Sequence, residues 1–206
     1  MLKISDLTLS YDGKRTLHFR GINLAAGGQC VLIGPSGSGK TSLLSMMAGL
    51  LEPDSGTVTV DGLDMFALSP RRRDRLRGRL FGFVFQTLHL LPSLTLRQNV
   101  ALASVMAGLP VDDKHLDDLL ARLGLADKAD RKPDALSQGE AQRGAIARAV
   151  LNHPKIILAD EPTSALDDAN AHAVMDVLLK QAHDTGAALV VATHDHRIVS
   201  YFRNVV

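Results

Sequence analysis

The chain has 206 residues, of which 46% are hydrophobic and 4% aromatic, a composition typical of a soluble α/β protein with a sizeable core. The formal net charge of +1 argues against a surface built for nucleic acid. Cys30 is the single cysteine, which excludes an internal disulfide framework and fits a reducing compartment. We find neither a signal peptide nor the roughly 20 consecutive apolar residues that span a bilayer, and therefore expect a partner to provide any contact with a membrane.

The first predicted elements are short strands. Apolar and polar residues alternate over residues 7–11, Asp12-Gly13 predicts a turn, and the apolar residues of 17–24 continue the pattern. Residues 30–33 form an apolar strand, and the apolar residues that follow recur at helical spacing until Pro53 ends the predicted helix.

A glycine-rich segment joins this strand to this helix. It runs Gly34-Pro35-Ser36-Gly37-Ser38-Gly39-Lys40-Thr41 and fits G-x-x-x-x-G-K-[ST], the phosphate-binding P-loop. The loop N–H groups and the helix N-terminus would bind phosphates, with Lys40 at the β- and γ-phosphates and the Thr41 hydroxyl on Mg²⁺. The predicted nucleotide site therefore comprises Gly34, Ser36, Gly37, Ser38, Gly39, Lys40, Thr41 and Ser42. A Gly/Ser loop with a solvated lysine is the alternative, which the strand–loop–helix context disfavours.

A basic segment follows a further predicted strand at residues 57–60. It contains Arg71, Arg72, Arg73, Arg75, Arg77 and Arg79. A solvated helix face is the favoured interpretation; contact with anionic lipid head groups or with an acidic partner loop is the alternative.

Helical patterns then replace strands from about residue 94 to 150. Strands return at 156–159 and 188–192, with a helix near 169–185 between them, so a helical insert divides an α/β core. Ser137 and Glu140 have the S-x-x-E spacing of a capping box, and the same helix N-terminus could instead bind a phosphate.

Polar residues follow the predicted core strands. Asp160 and Glu161 end a buried strand, where Asp160 could hold Mg²⁺ and Glu161 could polarise the water that attacks the γ-phosphate. Gln86 could coordinate Mg²⁺ after the strand at 80–85, and His194 could contact the γ-phosphate after the last strand. Taken singly, Gln86 would more often be a surface glutamine and His194 a structural histidine.

Together these motifs resemble the ATP-binding cassette (ABC) ATPase family over nearly the whole chain. The resemblance implies a P-loop NTPase (RecA-like) core with an N-terminal antiparallel β subdomain and an inserted helical subdomain, divided as 1–93 plus 151–206 and 94–150 of one domain. It assigns catalysis to Glu161, His194 and Lys40, and Mg²⁺ to Thr41, Gln86 and Asp160. It also implies that Tyr11 stacks on adenine.

The resemblance further implies a head-to-tail dimer. Ser137, Gly139 and Glu140 would face the ATP bound to a second subunit, and Ser164 to Asp167 would line the dimer contact. ATP-driven closure would then drive an integral membrane permease at the cytoplasmic face of the inner membrane, with no nucleic acid partner. The segment 85–92, Glu140 and the short chain are most similar to the lipoprotein-releasing, macrolide-export and cell-division subgroup, whose permeases carry extracytoplasmic domains.

Three features depart from the family pattern. Gln138 replaces the usual glycine, Gly144 replaces a branched apolar residue, and the chain ends where one more short strand is usual. Gly144 is expected to weaken its helix by up to about 1 kcal/mol relative to alanine. Gln138→Gly is expected to retain hydrolysis.

Two other functions are weighed against this resemblance. A soluble ABC-type ATPase acting on DNA would need long heptad segments, and a ribosome-acting relative would need two cassettes; neither is found in the chain. A kinase-like P-loop enzyme would leave residues 136–140 unexplained.

Overall fold

The fold is known from a computed structural model, which describes residues 1–11, 15–164 and 166–206. The predicted turn at Asp12-Gly13 lies outside the described residues. In chain order the elements are β1 (Leu2–Ile4), β2 (Leu7–Tyr11), β3 (Arg15–Phe19), β4 (Ile22–Leu24), β5 (Gln29–Ile33), α1 (Lys40–Met47), β6 (Val58–Val60), β7 (Leu63–Asp64), α2 (Pro70–Leu80), β8 (Phe81–Val84), α3 (Leu96–Ala107), α4 (Asp113–Arg122), α5 (Gln138–Val150), β9 (Ile156–Asp160), α6 (Asp168–Thr185) and β10 (Ala188–Thr193). Short 3₁₀ helices occupy 126–128, 133–135 and 196–201.

The N-terminal strands are antiparallel. One sheet has the order β4-β1-β6-β7, and β2 pairs with β3 as a hairpin. Strand β1 was not predicted, because a three-residue strand with only Leu2 and Ile4 on its buried face gives too short an alternation to recognise.

A parallel sheet of order β5-β10-β9-β8 forms the centre of the molecule. Both faces are buried, and successive residues point to opposite sides. Ile156 and Leu158 pack with α1 and the antiparallel sheet, while Ile157 and Ala159 pack with the helices of the insert and α6. The predicted P-loop NTPase class, with an antiparallel subdomain and a helical insert, is confirmed.

Helix α1 is shorter than predicted. It ends at Met47 instead of continuing towards Pro53, because Gly49 adopts a left-handed conformation (φ 67°) and its N–H donates to the Met46 carbonyl. The sequence predicted a longer helix because Leu50 and Leu51 continue the helical spacing of apolar residues. Leu50 is instead half exposed.

Residues near the end of the given sequence extend the parallel sheet beside β5. Residues 204–206 pair in parallel with β5: the Val31 N–H donates to Asn204 O at 3.0 Å, and the Ile33 N–H donates to Val206 O at 2.8 Å. This pairing covers the edge of the strand that leads into the P-loop.

Gly82 and Gly144 allow helix α5 to pack closely against its neighbours. A Cβ on Gly82 would lie 2.1 Å from Ala149 O, so β8 and α5 could not approach as they do with any other residue there. A Cβ on Gly144 would lie 2.5 Å from Leu96 Cδ1. The departure at position 144 therefore has a packing reason: the fully buried Leu96 fills the volume that a side chain at 144 would take.

Among the described residues, no helix combines the length and the apolar character that crossing a membrane requires.

Candidate functional site

The P-loop joins β5 to α1 and leaves the N-terminus of that helix open. Gly39 caps the helix in a left-handed conformation (φ 98°), and among the described residues no side chain caps its first N–H groups. A Cβ on Gly39 would lie 2.7 Å from Leu17 Cδ1, so glycine also lets the hairpin β2–β3 pack against the loop. The free N–H groups and the helix dipole make this loop an anion site.

Lys40 and Thr41 connect the P-loop to the acidic end of β9. Lys40 Nζ donates to the carbonyls of Gly34 at 2.7 Å and Pro35 at 3.2 Å, and it lies 3.5 Å from Glu161 Oε1. Thr41 Oγ1 donates to Asp160 Oδ2 at 2.7 Å. The predicted cation, hydroxyl and carboxylates therefore meet within hydrogen-bonding range.

Glu161 is held in a constrained position. Its φ of 48° is unusual for a residue with a side chain, and such strain persists only where neighbours enforce it. Thr193 Oγ1 donates to Glu161 Oε2 at 2.9 Å, and His194 Nδ1 lies 2.8 Å from Glu161 Oε1. These contacts aim the carboxylate at the P-loop.

The two carboxylates differ in how readily they ionise. Burial, the largest influence on each, acts to raise both pKa values. For Asp160 burial prevails over the Thr41 hydrogen bond, so its pKa lies above the usual range. For Glu161 the hydrogen bonds with His194 and Thr193 outweigh burial, so its pKa lies below the usual range. Glu161 is therefore ionised at neutral pH and suited to orienting a water molecule.

A cavity of about 320 Å³ collects most of the predicted residues. The predicted residues that line it are Tyr11, Ser36, Gly37, Gly39, Lys40, Thr41, Ser42, Gln86, Glu161 and His194. Gly34, Ser38 and Asp160 are not among the lining residues, but Asp160 joins the site through Thr41. Tyr11 is 44% exposed and shares a 2.6 Å hydrogen bond with the Ser42 hydroxyl, which fixes its ring beside the start of α1.

The structure does not bring the residues 137–140 to this cavity. Ser137 caps α5 in a reciprocal capping box: the Glu140 N–H donates to Ser137 Oγ at 3.3 Å, and the Ser137 N–H donates to Glu140 Oε2 at 2.7 Å. Ser137 and Glu140 therefore form the predicted capping box within one chain. Gly139 lies beside Asn170 near the start of α6.

Two cavity residues were not predicted, Arg15 and Leu17 on β3. Arg15 pairs with Tyr11 across the hairpin and its Nη2 donates to Gly37 O at 3.0 Å. The hairpin that pairs Tyr11 with Arg15 was the available signal, because directly opposite residues of a hairpin share the same surroundings.

A network beyond the cavity supports His194, and it too was not predicted. Thr163 Oγ1 donates to Asp195 Oδ2 at 2.9 Å, and Arg197 binds the same carboxylate through Nε at 2.8 Å and Nη2 at 2.7 Å. Arg197 also pairs with Asp168 at the start of α6. Arg197 holds the pKa of Asp195 at about 2. Of the predicted dimer-contact residues, Ala165 lies outside the described residues, and Asp167 caps α6 through the Asn170 N–H.

The P-loop, the carboxylates at the tip of β9 and the parallel sheet define a P-loop nucleoside triphosphatase. The family model described as ABC transporter matches residues 19–164. The chain belongs to the ABC transporter family, and it is an ATP-binding, ATP-hydrolysing subunit.

Individual relatives agree with this assignment. The lipoprotein-releasing system ATP-binding protein LolD 1 of Rhodopirellula baltica is 42% identical over 200 residues, covering 94% of this chain and 87% of that protein. The macrolide export ATP-binding/permease protein MacB of Vibrio parahaemolyticus is 37% identical over 207 residues, covering 98% of this chain but 32% of that protein. The ATP-binding cassette MJ0796, solved as a dimer in a post-hydrolysis state bound to ADP and Pi, matches with a TM-score of 0.89 at 33% identity, covering 100% of this chain and 93% of that chain.

Proposed function

We propose that two copies of this chain close head to tail on ATP and Mg²⁺ and thereby energise a membrane permease. The observation that carries the proposal is the division of the motifs. One cavity collects the P-loop, Gln86, Glu161 and His194, whereas Ser137 and its neighbours cap a helix elsewhere. A second copy would supply Ser137, Gly139 and Glu140 to the nucleotide, as the dimeric relative MJ0796 suggests.

Within this proposal the catalytic residues divide the work of phosphoryl transfer. The N–H groups of α1 and Lys40 hold and neutralise the phosphates, and Lys40 exchanges its carbonyl partners for phosphate oxygens. Glu161, ionised and aimed by Thr193, orients the attacking water, and His194 steadies Glu161 through Nδ1. Positioning and charge neutralisation account for most of the catalysis of phosphoryl transfer. Tyr11 stacks on the adenine.

The donor set fits Mg²⁺. Asp160 Oδ1 is buried and has no hydrogen-bond partner among the described residues, while Oδ2 of the same carboxylate accepts from the Thr41 hydroxyl. Thr41 and Gln86 both line the cavity. Carboxylate, hydroxyl and amide oxygens are the ligands that Mg²⁺ takes, together with substrate phosphates. When bound, Mg²⁺ would neutralise charge that develops on the phosphates, with Thr41, Asp160 and Gln86 as its protein ligands.

A groove beside the cavity provides a surface for the permease. It encloses about 770 Å³ between β8, α2 and α3, and its walls include Phe81, Phe83, Leu102 and Ala107. Met106 also lines the groove and is 82% exposed, so the groove opens on an apolar rim. We propose that an amphipathic cytoplasmic helix of the permease lies in this groove. The relative MacB is an ATP-binding/permease protein, so one chain there joins the two parts that this contact would hold together.

The segment after Gln86 connects the nucleotide to this groove. Gln86 lines the cavity, whereas Phe85, His89 and Leu91 line the groove. Arg148 of α5 donates to Leu88 O at 2.6 Å and His89 O at 2.7 Å, so the segment is also fixed to the helix that Ser137 caps. A change at the γ-phosphate would therefore reach the groove from Gln86 through its neighbour Phe85 and through residues 87–91.

The subgroup and the location complete the proposal. The similarity to LolD and MacB supports a permease of the lipoprotein-releasing or macrolide-export type. We propose that this permease has an extracytoplasmic domain and lies in the inner membrane. The cassette would bind at the cytoplasmic face. We also propose the division into a core lobe (1–93 and 151–206) and a helical lobe (94–150), which would rotate relative to each other during closure.

The experiment that tests the dimer uses Glu161→Gln. This variant keeps the shape of the side chain but removes the charge that orients water, so it should bind ATP and accumulate as a dimer. Light scattering after size exclusion in ATP and Mg²⁺ measures its mass. The control is Glu161→Gln combined with Ser137→Ala, which should dimerise less. Its nucleotide binding as a monomer, followed by equilibrium dialysis at protein concentrations too low for dimerisation, should stay unchanged.

A monomer at saturating ATP and Mg²⁺ would refute the proposed dimer. The trapped variant also tests the partner. Pull-down from native membranes should recover a protein with transmembrane helices; recovery of ribosomes or DNA-bound proteins alone would favour a soluble ABC-type ATPase instead.

A further inference from the structure

Helix α2 presents one face made only of arginines. Arg71, Arg72, Arg75 and Arg79 are exposed, and at about 100° per residue all four fall within roughly 100° of the helix circumference. We name these four residues the arginine face. None of them takes part in an ion pair among the described residues, and Asp74, the only acid of the helix, pairs with Arg77 at 2.6 Å.

Other residues of α2 attach the helix to the rest of the protein. Leu76 and Leu80 pack on the core, and Arg73 lies over the Phe66 ring at 5.0 Å. Arg77 donates to Gly49 O at 3.4 Å. Two of the six arginines are thus structural, and the arginine face has no role in holding the helix in place.

Two arginines of this face stand where helix electrostatics disfavours them. Arg71 and Arg72 follow Pro70 in the first turn, beside N–H groups whose partial positive charge stabilises acids and repels cations. The first turn contains no acid to offset them. Arg71 and Arg72 therefore lower the stability of the helix slightly. Their presence indicates that they serve a purpose other than stabilising the fold.

The arginine face borders the groove and its apolar rim. Gly78, which lies between the groove side and the arginine side of α2, packs against Ala107 at the end of α3. The same end of α3 carries Val105, 58% exposed, and Met106, 82% exposed. Basic and apolar residues are therefore adjacent on the surface where the permease is proposed to bind.

We propose that the arginine face binds anionic phospholipid head groups of the membrane that contains the permease. The location of that membrane beside α2 rests on the proposed function. Four exposed cations without an apolar residue between them match a diffuse anionic surface, whereas a packed protein interface needs an apolar centre. Arginine also suits phosphate, since its guanidinium can donate two parallel hydrogen bonds.

The test is binding of the whole chain, without permease, to phosphatidylcholine vesicles that contain phosphatidylglycerol. The test variant replaces the arginine face by glutamine, which keeps helix propensity and removes four charges. The matched control also loses four exposed charges that make no described ion pair, by the changes Arg20→Gln, Lys132→Gln, Lys180→Gln and Arg203→Gln. Both variants have the same net charge.

We expect the unmodified chain to bind these vesicles more weakly as salt rises and not to bind phosphatidylcholine alone. Each arginine near the surface contributes about five-fold to partition, so the loss of all four should lower partition by about 600-fold if their contributions are independent, and a loss under about 50-fold would be too small. The control should lose less than about five-fold. Because Arg71 and Arg72 oppose the helix dipole, the melting temperature of the test variant should equal or exceed that of the unmodified chain.

Three results would overturn the proposal: no binding by the unmodified chain, equal losses in the two variants, or binding independent of phosphatidylglycerol. If vesicle binding is absent while assembly with the permease still needs the arginine face, the occupant is an acidic protein segment. ATP hydrolysis is measured on the same preparations. Hydrolysis without vesicle binding would leave the proposed function intact and reject only the lipid contact.

Discussion

Arg197→Gln should loosen the two segments that flank Glu161. Arg197 connects Asp195, two residues beyond Thr193, to Asp168 at the start of α6. Its hydrogen bonds lower the pKa of Asp195 from 3.8 to about 2. At about 1.36 kcal/mol per pKa unit this shift corresponds to about 2.4 kcal/mol of folding free energy. The Thr163 hydroxyl and the Arg197 backbone N–H supply part of this shift, and the guanidinium side chain is 35% exposed, so we expect a loss of only about 1–1.5 kcal/mol.

The sign of the pH dependence follows from the direction of the shift. The folded-state pKa of Asp195 is depressed, so its contribution to stability is complete above pH 3.8 and is lost as the pH falls towards 2. The destabilisation caused by Arg197→Gln should therefore be full at pH 7 and about half as large at pH 3. Urea unfolding at both pH values measures it.

Arg203→Gln is the matched control, since Arg203 is exposed and makes no described ion pair. It should change stability by less than about 0.5 kcal/mol at either pH. An Arg197→Gln effect of equal size at pH 7 and pH 3 would show that the ion pair with Asp195 is not its cause. Because the same contacts fix the segment that carries His194, the kcat for ATP should fall while KM stays near that of the unmodified chain.

Further perturbations probe the packing and the nucleotide site. Gly82→Ala should destabilise the fold by about 3 kcal/mol or more, measured by urea unfolding, because its Cβ would meet Ala149 O. Tyr11→Ala should weaken ATP binding about ten-fold and Tyr11→Phe less than about three-fold, measured by titration calorimetry, if stacking outweighs the bond to Ser42. Cys30 is buried and its pKa is raised to about 11, so a thiol reagent should modify it only after unfolding.

The sequence predicted those parts of the site in which chemistry dictates residue type. The P-loop needs glycines at fixed spacing, and Asp160 and Glu161 stand at the end of an apolar strand, so their meeting in space follows from parallel strand order. Arg15 and Arg197 were missed because their roles depend on which segment lies opposite. No local pattern distinguishes Arg197 from an exposed arginine until Asp195 and Asp168 are brought together.

Misjudged boundaries in the fold have a similar origin. Leu50 and Leu51 continue a helical pattern past the end of α1, and only the left-handed Gly49 shows that the helix has ended. The pairing of residues 204–206 with β5 depends on contacts between residues far apart in the chain, such as Asn204 and Gln29, which are 175 positions apart. Local periodicity carries no information about such contacts.

The contact between Gly144 and Leu96 sets a rule for exchanging parts between related cassettes. A helix α5 taken from a relative with a branched residue at position 144 would bring its side chain into the space that Leu96 occupies. A chimera of that kind needs a smaller residue at position 96 as well, although almost fifty positions separate the two. The transferable unit is therefore α3 together with α5, and recombination points between them should yield poorly folded hybrids.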